Sequence, residues 1–432
     1  MRTLIFALIA LSPLTARAEE DRELVVLLLI DAVRADAVGC YGYEKPTTPF
    51  IDTLCAQGTR YTRMYANAPW TRPSTASFLT GLNASRHATE SYRTKMSDKV
   101  VTLAKRLRQK GWKTYGFSAN GNGGSLANLD SGFHVFRDVS NTYTKKKRGK
   151  VYNGLPTGEF MVERVLEHMD TTKAKKEFLF LFMVDPHDPY FAPPELEKEF
   201  LGPNFKGEVR RRALWEHNND YPEEEVRSMR AIYDAGIRYS DIATKQLVDG
   251  LKKRGRWDNT TMFISADHGE GFGEHNFFLH AHQFWEEVVH VPLIAVGGKF
   301  NGGGVDERLT QAIDVSATIL DIAGIDPGVV AGRSLLRPAV PGATVISEYN
   351  EFGIRRQAIV GDRYKVIWQR AALEDVYMRE ARDKKYFPSV IFEGERVQVY
   401  DLKNDPKERK DLSKAMPPEA KTLLDTLRKF VN

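Results

Sequence analysis

Leu24-Val25-Val26-Leu27-Leu28-Leu29-Ile30 is an unbroken apolar run that stops at Asp31. Two later stretches share the pattern: Phe178 to Val184 stops at Asp185, and the mostly apolar Met262 to Ala266 stops at Asp267-His268. Runs without alternation suit strands buried on both faces, since a half-exposed strand would alternate apolar with polar residues. Between them, apolar positions recur at three and four residues from Val101 to Lys110, ending at Gly111, and from Val226 to Lys253, ending near Gly255. That spacing predicts helices. Strand alternating with helix predicts the α/β class, with a doubly wound, mostly parallel central sheet. Ligands bind such sheets beyond the carboxyl ends of the strands, where loops converge and helix N-termini point. Asp31, His187 and Asp267-His268 should therefore share one rim, although they lie far apart in the chain.

From about Thr344 the pattern changes. Val345-Ile346, Ala358 to Val360 and Tyr364 to Trp368 read as short strands, followed by a closing helix from about Pro417. The chain thus divides into an N-terminal segment 1–18, an α/β unit 19–343 and a smaller C-terminal α+β subdomain 344–432, packed on the first.

With 42% apolar and 28% charged residues, the chain can bury a large core. A net charge of +5 from 62 basic and 57 acidic residues is too small an excess to point to nucleic acid. The one dense basic cluster, Lys145-Lys146-Lys147-Arg148, reads as a solvated loop. Met1-Arg2, an apolar stretch from Leu4 to Leu11 and then Ala16-Arg17-Ala18 have the form of a secretory signal. The apolar stretch is shorter than the roughly 20 residues that span a bilayer, and no later stretch reaches that length. The expectation is a mature chain beginning near Glu19, without a membrane span, in a bacterial periplasm or outside the cell. An oxidising compartment would permit a Cys40–Cys55 disulfide; two buried free thiols are the other reading.

Two segments carry chemistry. In Ala68-Pro69-Trp70-Thr71-Arg72-Pro73-Ser74-Thr75-Ala76-Ser77-Phe78-Leu79-Thr80-Gly81, Pro73 suits the first turn of a helix and Gly81 its end. Thr71 then sits at the positive end of that helix, as a capping residue or as a nucleophile. Asp267-His268-Gly269-Glu270 puts a carboxylate beside an imidazole, suited to a divalent metal or to ordinary loop hydrogen bonds, ahead of glycines that let backbone approach a ligand.

Together these segments resemble the sulfatase-like branch of the alkaline phosphatase superfamily in motif, order and spacing, over nearly all of the mature chain. Leu29 to Asp36 with Gly39-Cys40-Tyr41-Gly42 is similar to the family's opening metal-binding strand and loop. Thr71 to Gly81 resembles the nucleophile helix, usually written C-x-P-S-R and then L-T-G, with Thr71 at the position of the modified cysteine, formylglycine. Asp185-Pro186-His187-Asp188-Pro189-Tyr190 resembles the histidine loop, and Tyr233 to Asp241 the helix before the second metal motif. Asp267-His268-Gly269-Glu270 with Phe272-Gly273-Glu274-His275, then His280 to Leu293, resembles that motif and its sequel. Tyr400-Asp401-Leu402 with Asp405-Pro406 matches the C-terminal hallmark.

The resemblance implies that Asp31, Asp267, His268 and Thr71 bind one divalent cation and that Thr71 attacks the ester, forming a phospho-threonine. It implies that His187 and His280 hold ester oxygens or protonate the leaving group, and that Asn120 and Arg72 contact substrate. A sulfatase needs a cysteine or serine oxidised to an aldehyde, which a threonine cannot supply. Thr75 stands where an arginine usually follows Pro-Ser, Ala32 replaces a second acidic ligand, and Asn120 stands where sulfatases usually have lysine and histidine. This set is more similar to phosphonate monoester hydrolases and lipoteichoic acid synthases than to calcium sulfatases, which favours manganese or zinc over calcium or magnesium. The expected activity is metal-dependent hydrolysis or transfer of a phosphate mono- or diester on a small molecule, glycan or lipid headgroup. Sulfuric ester hydrolysis by unmodified threonine, and a catalytically silent relative that binds an anionic glycan, are the alternatives.

Overall fold

The computed structural model describes residues 22–138, 151–152, 155–203, 205, 221–351, 354–370 and 395–431. The segment read as an export signal and the Lys145-Lys146-Lys147-Arg148 cluster lie outside these residues. The central sheet has eight strands: β1 Glu23–Ile30, β2 Thr59–Tyr65, β3 Lys113–Ser118, β4 Val135–Asp138, β5 Lys176–Met183, β6 Thr260–Ser265, β7 Leu293–Val296 and β8 Gly304–Gln311. Their order is β8-β2-β7-β6-β1-β5-β3-β4. Only β7 runs antiparallel to its neighbours. The unbroken apolar run forms the central β1, whose residues from Leu24 to Ile30 are at most 3% exposed, as burial on both faces requires.

Register does the functional work. β1 pairs in parallel with β5, Ile30 opposite Met183, and with β6, Leu29 opposite Ser265. β3 pairs in parallel with β5, Ser118 opposite Phe182. The residues that follow these strands, Asp31, Asp185, Asp267 and Asn120, consequently leave the sheet along one edge. Helices α1 Thr71–Thr80, α2 Glu223–Lys253 and α3 Ala312–Ile322 accompany the sheet. The helix expected from Val101 begins only at Leu103, because the Thr102 hydroxyl caps it by accepting from Lys105 N.

The C-terminal part is an antiparallel meander, β9 Val345–Glu351, β10 Ile354–Val360, β11 Tyr364–Gln369 and β12 Arg396–Asp401, with α4 Pro418–Val431. One face buries Ile359, Val366 and Val399 against Ala420, Leu424 and Leu427 of α4. The other meets Tyr65, Phe284, Trp285 and Val289 of the larger unit. At this joint the fully buried Lys365 ammonium lies 3.0 Å from Glu286 and 2.9 Å from Glu408. Among the described residues no helix is long and apolar enough to cross a membrane. Cys40 and Cys55 are free thiols.

Candidate active site

Asp31, Asp267 and His268 are fully buried, and one ligand atom of each lies within 4.8 Å of the others. Each carboxylate is half engaged. Asp31 Oδ2 accepts from Asn120 Nδ2 at 2.8 Å, while Asp31 Oδ1 has no hydrogen-bond partner. Asp267 Oδ1 accepts from Ala32 N at 3.2 Å and His268 N at 3.0 Å, while Asp267 Oδ2 has none. The partnerless oxygens lie 3.5 and 3.3 Å from His268 Nε2. His268 Nδ1–H donates to Gly269 O at 2.8 Å, so Nε2 carries a lone pair toward the carboxylates. Burial and the neighbouring Asp31 push Asp267 up to about 7; burial also raises Asp31 and lowers His268 to about 4. Two buried carboxylate oxygens and an imidazole lone pair without donors are a donor set that fits a divalent cation, whose charge would reverse these shifts. To reach Asp267, Ala32 adopts φ 63°, a conformation costing a non-glycine residue about 1 kcal/mol.

Thr71 completes the group. Trp70, extended at φ −159° and ψ 164°, occupies the cap of α1, so Thr71 is the first helical residue. Its hydroxyl, 3% exposed, lies 3.3 Å from His268 Nε2. Of the two readings of Thr71, the structure thus takes the capping role away. Ser74 Oγ donates to Asp267 O at 2.5 Å and pins α1 to the loop after β6. Gly81 ends the helix at φ 70°, where a side chain would be strained. Gly269, expected to let a ligand approach, is required instead by a chain crossing: a Cβ there would lie 2.2 Å from Glu287 O.

Both remaining histidines enter the same pocket. The His280 ring lies tilted against His268 at 4.1 Å between centroids, and His187 stands edge-on to His280 at 5.1 Å. Burial works against the charged form of His187, but Asp31 and Glu270 outweigh it and hold the imidazole up at about 9. Burial and the His187 charge lower His280 well below the ordinary histidine range. Glu270, overlooked as a site residue in the sequence, joins this group through His280. Asn120 is engaged with Asp31, its own Oδ1 accepting from Asn122 N at 2.9 Å. Arg72 turns to protein acceptors: Nη1 donates to the carbonyls of Ser91, Tyr92 and Thr94 at 3.1, 2.5 and 2.8 Å, and Nη2 to Asn122 Oδ1 at 2.8 Å. Thr75, in the place of an arginine, is fully buried and its hydroxyl has no partner.

Residues 23–325 match the Sulfatase family model. The chain belongs to the sulfatase family. Residues 273–431 also match the C-terminal model of N-sulphoglucosamine sulphohydrolase. A Delta 4,5-hexuronate-2-O-sulfatase of Bacteroides thetaiotaomicron is 25% identical, across 94% of this chain and 87% of that protein. A multifunctional alkaline phosphatase superfamily protein of Trinickia caryophylli is 24% identical, across 73% and 76%. The phosphonate monoester hydrolase of Agrobacterium radiobacter shares the fold with a TM-score of 0.73 at 20% identity, covering 95% of each chain. As a member of the sulfatase family the protein is a hydrolase of ester bonds, in a family that works with a divalent metal, and Asp31, Asp267 and His268 offer a site for one.

Proposed function

We propose that this sulfatase-family protein is a metal-dependent hydrolase or transferase of phosphate mono- or diesters, with Thr71 as nucleophile. The observation that carries the reading is the Thr71 hydroxyl at the start of α1, released from capping and set 3.3 Å from His268 Nε2. A divalent cation on Asp31, Asp267, His268 and Thr71, manganese or zinc by the donor set, would lower the proton affinity of the hydroxyl and offset charge on the ester oxygens. Thr71 Oγ1 gives its proton to solvent and bonds to phosphorus as the bond from phosphorus to the ester oxygen breaks; the departing oxygen takes up a proton, and phospho-Thr71 is the covalent intermediate. The backbone N–H of Thr71, in the first turn of α1, suits a non-bridging oxygen. His187, whose ring stands edge-on to His280 at 5.1 Å in the same cluster, is suited to the same anion or to the departing oxygen. Water or an acceptor alcohol resolves the intermediate.

A phosphorus ester is preferred because threonine cannot form the aldehyde on which sulfatase chemistry depends. The sulfatases among the relatives favour a second reading, sulfuric ester hydrolysis by the unmodified threonine. Substrates borne by a small molecule, glycan or lipid headgroup are consistent with both. The signal-like residues 1–18 support export to a bacterial periplasm or beyond, tested by the N-terminal sequence of the mature protein.

The test is metal content of the purified mature protein, then turnover of matched aryl phosphate, phosphodiester and sulfate esters with that metal restored. Phosphoester turnover that disappears in Thr71→Ala supports the leading reading, and sulfate release alone supports the second. Metal-free protein inert on all three esters would overturn both and favour a silent anion-binding relative.

A further inference from the structure

The two cysteines take no part in the chemistry above, yet the fold brings them together. Cys40 sits in a 3-10 turn, Gly39–Tyr41, and Cys55 in the helix Pro49–Gln57. Hydrogen bonds lock the turn onto one face of that helix. Cys40 N donates to Asp52 Oδ1 at 2.7 Å and Gly39 N to Thr48 Oγ1 at 2.8 Å, while Thr48 Oγ1 donates to the same Asp52 oxygen at 3.0 Å. Asp52 and Cys55, three residues apart, share a helix face. The approach is so close that a Cβ on residue 39 would meet Asp52 Oδ2 at 2.1 Å, so glycine is required there. From the other side Tyr41 Oη donates to Tyr61 O at 2.9 Å and accepts from Leu293 N at 2.8 Å, which ties the turn to β2 and β7. Cys55 is buried in the main core, and the half-buried Cys40 packs against that core. Cys40 Sγ–H donates to Cys55 Sγ.

We propose that Cys40 and Cys55 are an oxidation site, at which a low-molecular-weight disulfide converts the thiol pair into a disulfide that staples the segment after β1 to the helix Pro49–Gln57. Thiols in contact on two anchored backbones suit the narrow geometry of such a bond. One protein thiolate attacks a donor sulfur, the donor S–S bond breaks, and one donor thiolate leaves. The second protein thiolate then attacks the protein sulfur of that mixed disulfide and releases the other half of the donor. The protein loses two electrons, the donor is reduced to two thiols, and the two cysteine protons pass to them. The bond closes a loop of about 15 residues, which corresponds to roughly 10²-fold in the folding equilibrium. It fixes the far end of the segment that begins at Asp31 and includes Arg34, whose Nη1 donates to Glu270 O at 3.1 Å.

The experiment incubates the purified protein, first reduced and then freed of reductant, with oxidised glutathione under native conditions, and digests it without reductant. Trypsin leaves both cysteines in one peptide, 35–60, because Lys45 precedes Pro46. Its mass should be that of the reduced peptide less two hydrogen atoms, with no thiol open to alkylation after denaturation. Urea unfolding of the oxidised protein should lie above that of the reduced protein, by about 10²-fold in the equilibrium constant. Cys55→Ser should instead keep glutathione on Cys40 as a stable mixed disulfide that reductant removes. Two free thiols surviving the incubation, a glutathione adduct persisting in wild type, or a disulfide joining two chains would each overturn the proposal. An internal disulfide that leaves urea unfolding unchanged would overturn the staple. Because no readout is turnover, the outcome stands apart from the reading of Thr71.

Discussion

The Thr71 hydroxyl and the His268 imidazole stand 3.3 Å apart although 197 positions separate them in the chain. The contact exists because the loop after β6 and the first turn of α1 are bound together by the Ser74 hydroxyl on Asp267 O. A side chain at the head of a helix is thereby committed to the Asp31, Asp267 and His268 cluster, not to the helix's own amides.

Replacing that hydroxyl should be catastrophic for turnover and mild for folding. Thr71→Ala is expected to lower kcat/KM about 10³-fold or more, whereas Thr71→Ser retains part of the activity. Because the hydroxyl does not cap α1, thermal unfolding of Thr71→Ala should stay within about 2 kcal/mol of wild type. Activity of Thr71→Ala close to that of wild type would exclude the nucleophile.

Metal and stability should be linked through Asp267. In chelator, Asp267→Asn should be at least as stable as wild type, since it removes one of two buried like charges. Adding zinc or manganese should raise the unfolding midpoint of wild type, by about 2.7 kcal/mol when free metal is 100-fold above Kd, and leave Asp267→Asn nearly unmoved. Equal shifts in both proteins would argue against a cation at this site. Calorimetry with and without each ion decides it.

Arg72 should prove a loop anchor. Three carbonyls of the 91–94 loop converge on one of its nitrogens, so Arg72→Ala removes three charge-assisted hydrogen bonds to part-buried carbonyls, at a cost of about 1 kcal/mol or somewhat more. Limited proteolysis should begin in that loop, and Arg72→Lys, lacking the planar fork, should restore little. A rise in KM with unfolding unchanged would instead place Arg72 on the substrate.

Stability should also respond to pH through Glu348. Its carboxyl accepts from Ser85 N at 3.0 Å and Ser85 Oγ at 3.1 Å. Burial, only partly offset by these donors and reinforced by Glu90, raises it from 4.5 to about 7. The folded chain therefore keeps a proton that the unfolded chain releases. The stability due to the protonated group is present in full below about pH 4.5 and is lost as pH rises through about 7. Denaturant titrations on either side of this window should show a smaller loss in Glu348→Gln than in wild type. Identical slopes would refute the assignment.

Much of this was legible from residues alone. Apolar runs ending at Asp31, Asp185 and Asp267 mark strands buried on both faces, and parallel pairing brings their ends to one edge whatever the intervening length. That is why Asp31 and Asp267-His268, so distant in the chain, could be grouped from sequence. The helix carrying Thr71 was legible too, with Pro73 in its first turn and Gly81 at its end.

Hydrogen-bond partners were not legible. Whether Thr71 capped its helix depended on Trp70 taking the cap, and whether Gly269 faced a ligand depended on the passage of Glu287 behind it. Glu270 found His280 through a hairpin too short to leave a periodic pattern. Arg72, adjacent to Thr71 in sequence, turned toward the 91–94 loop. Periodicity along a chain records which residues leave water, and so determines elements and their order. The choice among competing donors and acceptors turns on differences of an ångström or less, and only the packed tertiary structure decides it.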